Sequence, residues 1–160
     1  MIILRNIDME LTPASIDRAI RDVERFRKDL KDAMVYLIEK LTEDGVKIAK
    51  AQLLAFDKPA FYTRQLYETI QKLPYDESTG NGAVYVENVT YYAFFVEYGT
   101  GIYNPDSTRN GEPWVYFNDR DNKWHMTRGM PKRPFMYNTL RILEDKASTE
   151  GARIIAEYIP

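Results

Sequence analysis

The chain contains no cysteine and a single histidine among its 160 residues. The absence of cysteine excludes disulfides, thiolate metal sites and cysteine nucleophiles together. The single histidine excludes a metal site built from several histidines, and any histidine-based acid or base chemistry would have to use His125. Few routes to catalysis therefore remain open, and we expect no enzymatic activity.

The chain also lacks a long apolar run and a strong excess of one charge. No stretch approaches the roughly 20 apolar residues of a membrane-spanning helix, and Arg5, Asp8 and Glu10 interrupt the first residues where a signal peptide would need an apolar core. The formal net charge of −2 argues against a dedicated duplex-DNA binder. With 44% hydrophobic and 29% charged residues, the composition predicts one globular domain over residues 1–160, made in the cytoplasm without a membrane partner.

The first third of the chain has the pattern of a long helix. Thr12 can cap a helix that begins at Pro13, where the missing proline N–H is not needed. Helical composition continues past Gly45, so we predict one helix that ends near Ala55, with Gly45 as the point where it could bend. A single apolar stripe follows helical spacing through Ile16, Ile20, Val23, Leu30, Met34, Leu37 and Leu41.

Short elements and turns follow. Because proline disfavours helix for the residue before it, Pro59 breaks the chain, and a short helix is predicted from about Thr63 to Gln71. Turn-rich composition predicts flexible loops at 74–82 and 103–112. The other segments predict a strand at 83–89, a helical turn in preference to a strand at 91–98, a β-hairpin at 114–117 and 123–126, and a closing helix from residue 135. The expected fold is α+β, with the N-terminal and C-terminal helices packed on a small antiparallel sheet.

Two segments stand out for their surface chemistry. Residues 91–101 carry five aromatic side chains and end in Gly-Thr-Gly, while residues 120–135 hold five Lys or Arg against one acidic residue. Tyrosine is enriched where proteins meet proteins. We therefore expect these segments to be two sticky patches for another subunit. Residues 51–101 hold three Lys or Arg against six Asp or Glu, and this charge contrast with 120–135 suits head-to-tail contacts, although two solvated faces of opposite charge would explain it equally well.

The candidates for chemistry have simpler explanations. His125 lies in a predicted strand, where a structural hydrogen bond is the commoner role. The polar turn that contains Asp119 and Asp121 lacks the glycine and the final glutamate of a calcium loop. Gly99-Thr-Gly101 is too short for a dinucleotide fingerprint and is typical of a tight turn. No residue pattern predicts a catalytic group, a metal, a cofactor or a small-molecule substrate.

Three short motifs follow one another along the chain: Tyr92-Ala-x-x-Val-Glu-x-Gly-Thr100, Thr127-Arg-Gly129 and Arg133-Pro-Phe135. Their order resembles the tail-completion, or head-tail joining, family of long-tailed bacteriophages and prophages. That family has a Thr-Gly-x-Leu step, then Tyr-Ala-x-x-Val-Glu-x-Gly-Thr, and later Thr-Arg-Gly and Arg-Pro-Phe before a closing helix. This chain departs from the pattern at 63–66, where Arg64 replaces the glycine. The matching residues are Tyr92, Ala93, Val96, Glu97, Gly99, Thr100, Thr127, Arg128, Gly129, Arg133, Pro134 and Phe135.

The resemblance implies a structural virion protein of the neck or tail. Such a protein forms a homo-oligomeric ring, often of six copies, between the portal-adaptor complex and the tail tube or tail terminator, and DNA is only its passing cargo. A nucleic-acid-binding accessory protein that uses the basic segment 120–135 is the alternative, and a small hydrolase centred on His125 is a third. The residues expected in the structural motif or in subunit contacts are Tyr92, Glu97, Tyr98, Gly99, Thr100, Trp114, His125, Arg128, Gly129, Arg133, Pro134 and Phe135. If Glu97 pairs with Arg128 or Arg133, Glu97→Ala should reduce assembly more than folding.

Overall fold

The computed structural model describes residues 10–56, 64–87, 92–106, 111–119 and 121–158. It confirms the predicted α+β arrangement, with a long N-terminal helix, a closing helix and antiparallel β-structure. The elements are α1 (Pro13–Leu54), α2 (Gln65–Glu68), β1 (Ile70–Asp76), β2 (Asn81–Val86), α3 (Ala93–Tyr98), a 3₁₀ turn (Gly101–Tyr103), β3 (Trp114–Asn118), β4 (Lys123–Thr127) and α4 (Phe135–Tyr158).

Helix α1 has 42 residues, a length of about 63 Å. Its predicted start is confirmed: Thr12 is the N-cap, and its Oγ1 accepts a hydrogen bond from the Ser15 N–H at 3.3 Å. Helix α1 continues through Gly45 without ending there. Glycine at this position serves the packing of neighbouring elements. A Cβ there would lie 2.7 Å from Val84 Cγ2 and 3.0 Å from Leu143 Cδ1, so glycine lets β2 and α4 approach α1 closely.

Helices α1 and α4 pack antiparallel. Lys146 Nζ lies 2.6 Å from Asp44 Oδ2, and Lys40 Nζ lies 3.2 Å from Glu150 Oε2. Because these partners keep one register, the last residue of α4, Tyr158, ends level with about residue 32 of α1. Residues 13–31 of α1 therefore project beyond α4, and we call them the α1 arm.

Strands β1 and β2 form the first hairpin, which packs on α1. Glu39 fixes it, since its carboxylate accepts hydrogen bonds from Lys72 Nζ at 2.7 Å and from the Tyr75 N–H at 2.6 Å. Ile70 is 1% exposed. It joins a core made of Ala49, Leu53, Leu66, Ile70, Val96 and Phe135.

This hairpin corrects two sequence predictions. Residues 74–82, predicted as a flexible loop, contribute to both strands, and only 77–80 form the turn. Pro74 misled the prediction; it lies where the strand register shifts, between Leu73 and Asp76, and such an irregularity tolerates a residue without an N–H. The short helix predicted to reach Gln71 ends at Glu68, because pairing with Val86 draws Ile70 into β1.

Strands β3 and β4 form a second hairpin, as predicted, with Trp114 opposite Thr127 and Asn118 opposite Lys123. It is a separate two-stranded sheet, so the β-structure consists of two hairpins rather than one sheet. The preference for helix at 91–98 is confirmed by α3. Of the predicted loop 103–112, Tyr103 ends the 3₁₀ turn, and 107–110 lie outside the described residues, as do 88–89 of the predicted strand.

Candidate functional site

The two motif segments meet in one place, which we call the motif junction. The Thr100 N–H donates to the Met130 carbonyl oxygen at 2.9 Å, and the Met130 N–H donates to Thr100 Oγ1 at 2.9 Å. The Ile102 N–H donates to the Arg128 carbonyl oxygen at 3.0 Å. The threonine of the first motif thus uses both its backbone and its side chain to bind the second motif.

The junction requires glycine at two facing positions. Gly101 has φ of +60°, and a Cβ there would lie 2.0 Å from the Arg128 carbonyl oxygen. Gly129 has φ of +133°, and its Cβ would lie 2.0 Å from the Thr100 carbonyl oxygen. Any side chain would push the two backbones apart, so the glycines of both motifs serve one close approach.

A second contact joins the segments beyond the junction. The Arg133 N–H donates to the Val96 carbonyl oxygen at 2.7 Å. Gly99, at the end of α3, lies so near this segment that a Cβ would be 2.9 Å from the backbone N of Lys132. Pro134 follows and leads directly into α4, which begins at the buried Phe135.

Glu97 caps α4 from a distance in sequence. Its Oε2 accepts a hydrogen bond from the Met136 N–H at 2.9 Å, and its Oε1 accepts one from the Tyr137 N–H at 2.9 Å. A carboxylate at this end of a helix satisfies free N–H groups and complements the helix dipole. Among the described residues, Glu97 does not pair with Arg128 or Arg133; within the chain its carboxylate caps the start of α4 instead.

Tyr92, the first residue of the motif, also serves the fold. Its hydroxyl oxygen accepts a hydrogen bond from the N–H of the buried Leu66 at 3.0 Å. Arg64 has φ of +22°. Glycine reaches this conformation more easily than arginine does, so the backbone at this position favours glycine. Thr63, the residue before it, lies outside the described residues.

His125 and Trp114 belong to the second hairpin. The His125 ring lies over the Tyr116 ring, with centroids 5.7 Å apart, and its Nε2 is 2.7 Å from Asp121 Oδ2. Asp121 also accepts from the Lys123 N–H at 3.2 Å, which fixes the turn. Trp114 lies at the base, where its Cζ3 would be 2.9 Å from a Cβ on Gly101. No cluster of three or more His, Asp or Glu suited to a metal occurs within the described ranges.

The aromatic run and the basic segment lie side by side within one chain, where the motif junction joins them, rather than at opposite poles. That they contact another subunit stays a prediction. What remains open around the junction is the side chains that point away from it: Phe94, Phe95, Tyr98, Ile102 and Tyr103 are all exposed.

Close to the motif junction, two apolar surfaces lack a cover among the described residues. The first is one face of the second hairpin, which we call the hairpin face; its side chains are between 44% and 75% exposed and belong to Val115, Phe117, Trp124 and Met126. The second is a groove of about 590 Å³ between α3 and α4, lined mainly by Ala93, Phe94, Tyr98, Met136, Tyr137 and Leu140. Among the described residues, the charged side chains that line this groove are those of Glu87 and Glu97.

Sequence reasoning missed both surfaces, although one signal was available. The hairpin face takes every second residue of each strand, and the paired residues Val115 with Met126 and Phe117 with Trp124 are all apolar. That alternation predicts one apolar face. The groove has no such signal, because its lining comes from α3, α4 and the end of β2.

Comparisons with family models, with curated proteins and with solved structures find no match to this chain. Among the described residues, neither long helix has an apolar stretch that could cross a membrane.

Proposed function

We propose that this chain is a structural protein of a long-tailed bacteriophage or prophage, which forms a ring at the head-tail interface and completes the tail. In this proposal it acts by binding rather than by catalysis. Its partners are other copies of itself, a portal-adaptor protein on one side and a tail-tube or tail-terminator protein on the other. It is made in the bacterial cytoplasm and ends in the virion, with DNA as passing cargo.

The observation that carries the proposal is the second hairpin. A two-stranded hairpin alone is marginally stable in water, and large exposed apolar patches mark interaction sites. The hairpin face exposes Phe117, Trp124 and Met126, and in the part of the chain that the structure describes this hairpin is held only at its base, through Trp114 and the motif junction. A partner that covers the hairpin face would stabilise an element that the single chain leaves open.

A ring needs two different surfaces on each copy, because each contact joins one surface to the other. The hairpin face projects, and the groove between α3 and α4 is concave. Arg128 follows the hairpin face at its base and has no ion pair within the described part of the chain, while Glu87 and Glu97 line the groove. These features support contact between the hairpin face of one copy and the groove of the next.

Mass measurement tests the ring directly. The purified chain, alone and mixed with candidate neck and tail proteins from the same phage genome, should reach the mass of a closed ring. Met126→Glu on the hairpin face and Leu140→Glu in the groove should each prevent closure. Tyr116→Glu is the matched control, since Tyr116 lies on the opposite face of the same hairpin and is similarly exposed.

Mixing the two defective variants adds a sharper readout. Each keeps one intact surface, so the mixture should form a mixed pair that neither variant forms alone. Deleting the gene from its phage should leave separate heads and tails in electron micrographs. Joined, infectious particles from the deletion would reject the proposal, whereas strong salt-dependent DNA binding by the purified chain would favour the nucleic-acid-binding alternative.

A further inference from the structure

We infer that the α1 arm, residues 13–31, pairs antiparallel with the arm of a second copy of this chain. The apolar residues of the arm follow a coiled-coil heptad. Seven successive a and d positions are apolar: Ile16, Ala19, Val23, Phe26, Leu30, Ala33 and Leu37. This is the pattern by which two helices pack knobs into holes.

The same seam already packs against a helix further along α1. Ala33 is 1% exposed, and Leu37 lies over Gly151 of α4. The seam continues beyond the end of α4 without a cover among the described residues. There Ile16, Val23 and Phe26 are 40%, 51% and 37% exposed. The arm is thus the uncovered continuation of an interface that this chain builds with its own α4.

The length of the open seam fits a second arm. An antiparallel pair centred near Arg21 covers residues 13–29 of both copies, a length of about 26 Å. Ile16 then lies opposite Phe26 of the second copy, and Ala19 opposite Val23. The second copy's helix begins just beyond Tyr158, so it does not overlap α4.

A parallel pair does not fit the packing of α4. From Ala33 onward each α1 has its own α4 on the seam, so two parallel arms would need both α4 helices in the same space. In the antiparallel pair the two bodies lie at opposite ends. This contact is two-fold and closes on itself, so it differs from a ring contact and does not rest on the proposed function.

Asp22 distinguishes the two directions further. In the antiparallel pair the two Asp22 side chains approach each other near the two-fold axis, each 3.9 Å from Arg25 of its own helix. In a parallel pair Asp22 would instead face Arg27. Asp22→Asn should therefore tighten the antiparallel pair, by about twofold to threefold, and would loosen a parallel one.

Ultracentrifugation over a concentration series tests the pairing with the full chain. In a Met126→Glu background, in which the ring contact is blocked, the chain should show a monomer–dimer equilibrium, and adding Val23→Glu should raise its Kd by roughly 100-fold or more, since both copies lose a buried side chain. Lys28→Glu, which changes the charge more but lies on the outer face of the arm, should leave the Kd within about twofold. Circular dichroism checks that each variant keeps its helices.

The absence of cysteine makes the register testable by cross-linking. The double variant Ile16→Cys/Phe26→Cys should form covalent dimers with oxidised glutathione. Ile16→Cys alone should not, because the two copies of residue 16 lie about 15 Å apart along the axis, too far for a disulfide. Cross-linking by the single variant would establish a parallel pair and overturn the inference.

In the Met126→Glu background, a Val23→Glu chain that dimerises as tightly as the background chain would overturn it as well, and so would a background chain that stays monomeric throughout. A ring formed through the hairpin face and the groove should survive Val23→Glu. Failure of the arm pairing therefore leaves the proposed function standing, and failure of the ring leaves the arm pairing standing.

Discussion

The two hairpins of this protein differ in what holds them. The first is fixed to α1 by the Glu39 carboxylate and buries Ile70 in the core. The second is held at its base, by the motif junction and Trp114, and exposes an apolar face. The same local structure, a β-hairpin, therefore has two different roles. Burial makes the first hairpin part of the fold, whereas the apolar face of the second remains available to a partner.

The largest effect is expected where the second hairpin joins the body. Gly101→Ala should destabilise the chain by about 4 kcal/mol, because a positive φ is strained for alanine and the Cβ would overlap the Arg128 carbonyl oxygen. Amide exchange of Thr100, Ile102 and Met130 should accelerate with it. Gly80→Ala, in the turn of the first hairpin, is the control: its φ is +70° but nothing lies within 4 Å of the new Cβ. Its cost should be about 1 kcal/mol, and equal losses at both positions would contradict the role of the junction.

A paired truncation compares the hairpins themselves. Ile70→Ala should lower the free energy of unfolding by about 3 kcal/mol, since it leaves a cavity in the core. Val115→Ala in the second hairpin should change it by less than about 0.5 kcal/mol. Urea denaturation at a concentration where the chain is monomeric measures both. A large loss for Val115→Ala would mean that the hairpin face is covered within one chain.

Glu97 tests whether the motif serves the fold or an ion pair. Glu97→Gln should cost about 1 to 2 kcal/mol of stability, because the N–H groups of Met136 and Tyr137 lose their carboxylate. Glu87→Gln, on the rim of the same groove, should cost less than about 0.5 kcal/mol. If Glu97→Gln leaves stability unchanged and weakens only assembly, the helix-capping role is refuted.

The smallest effect concerns the packing of α1 on α4, on which the first hairpin depends. The hydrogen bond from Lys146 lowers the pKa of Asp44 below its ordinary 3.8. A lowered pKa in the folded state means that the stabilisation is present above the unfolded pKa and is lost as pH falls through the folded value. Asp44→Asn should therefore destabilise the protein by about 1 kcal/mol or less at pH 7. It should also flatten the dependence of stability on pH below about pH 4, which thermal melts across that range would detect.

Sequence reasoning succeeded where a local pattern determines the structure. The capping pair Thr12-Pro13, the helical spacing after it and the alternation around 114–126 were sufficient for α1 and the second hairpin. It failed at 74–82, because Pro74 and the glycines favour a loop, and only pairing across a register shift makes the segment a hairpin.

The site was harder to predict than the fold. The motif residues were identified, but their partners were not, because Glu97 and the N-terminus of α4 are about 40 residues apart in sequence. A charge pattern suggests a salt bridge for Glu97, while the chain uses it as a helix cap. The exposure of the hairpin face could not be predicted either. Alternation of apolar and polar residues indicates that a strand has an apolar face, but it does not indicate whether the core covers that face.

Gly45 has a consequence for how this chain can vary. Helix α1, strand β2 and helix α4 approach one another closely at Gly45, since Val84 and Leu143 occupy the space that a methyl group on this residue would need. Substitutions at these three positions should therefore be strongly non-additive: alanine at 45 is expected to be tolerated only when a smaller residue replaces Val84 or Leu143. Related sequences that carry a larger residue at this point of the first helix should show the compensating loss in the strand or in the last helix.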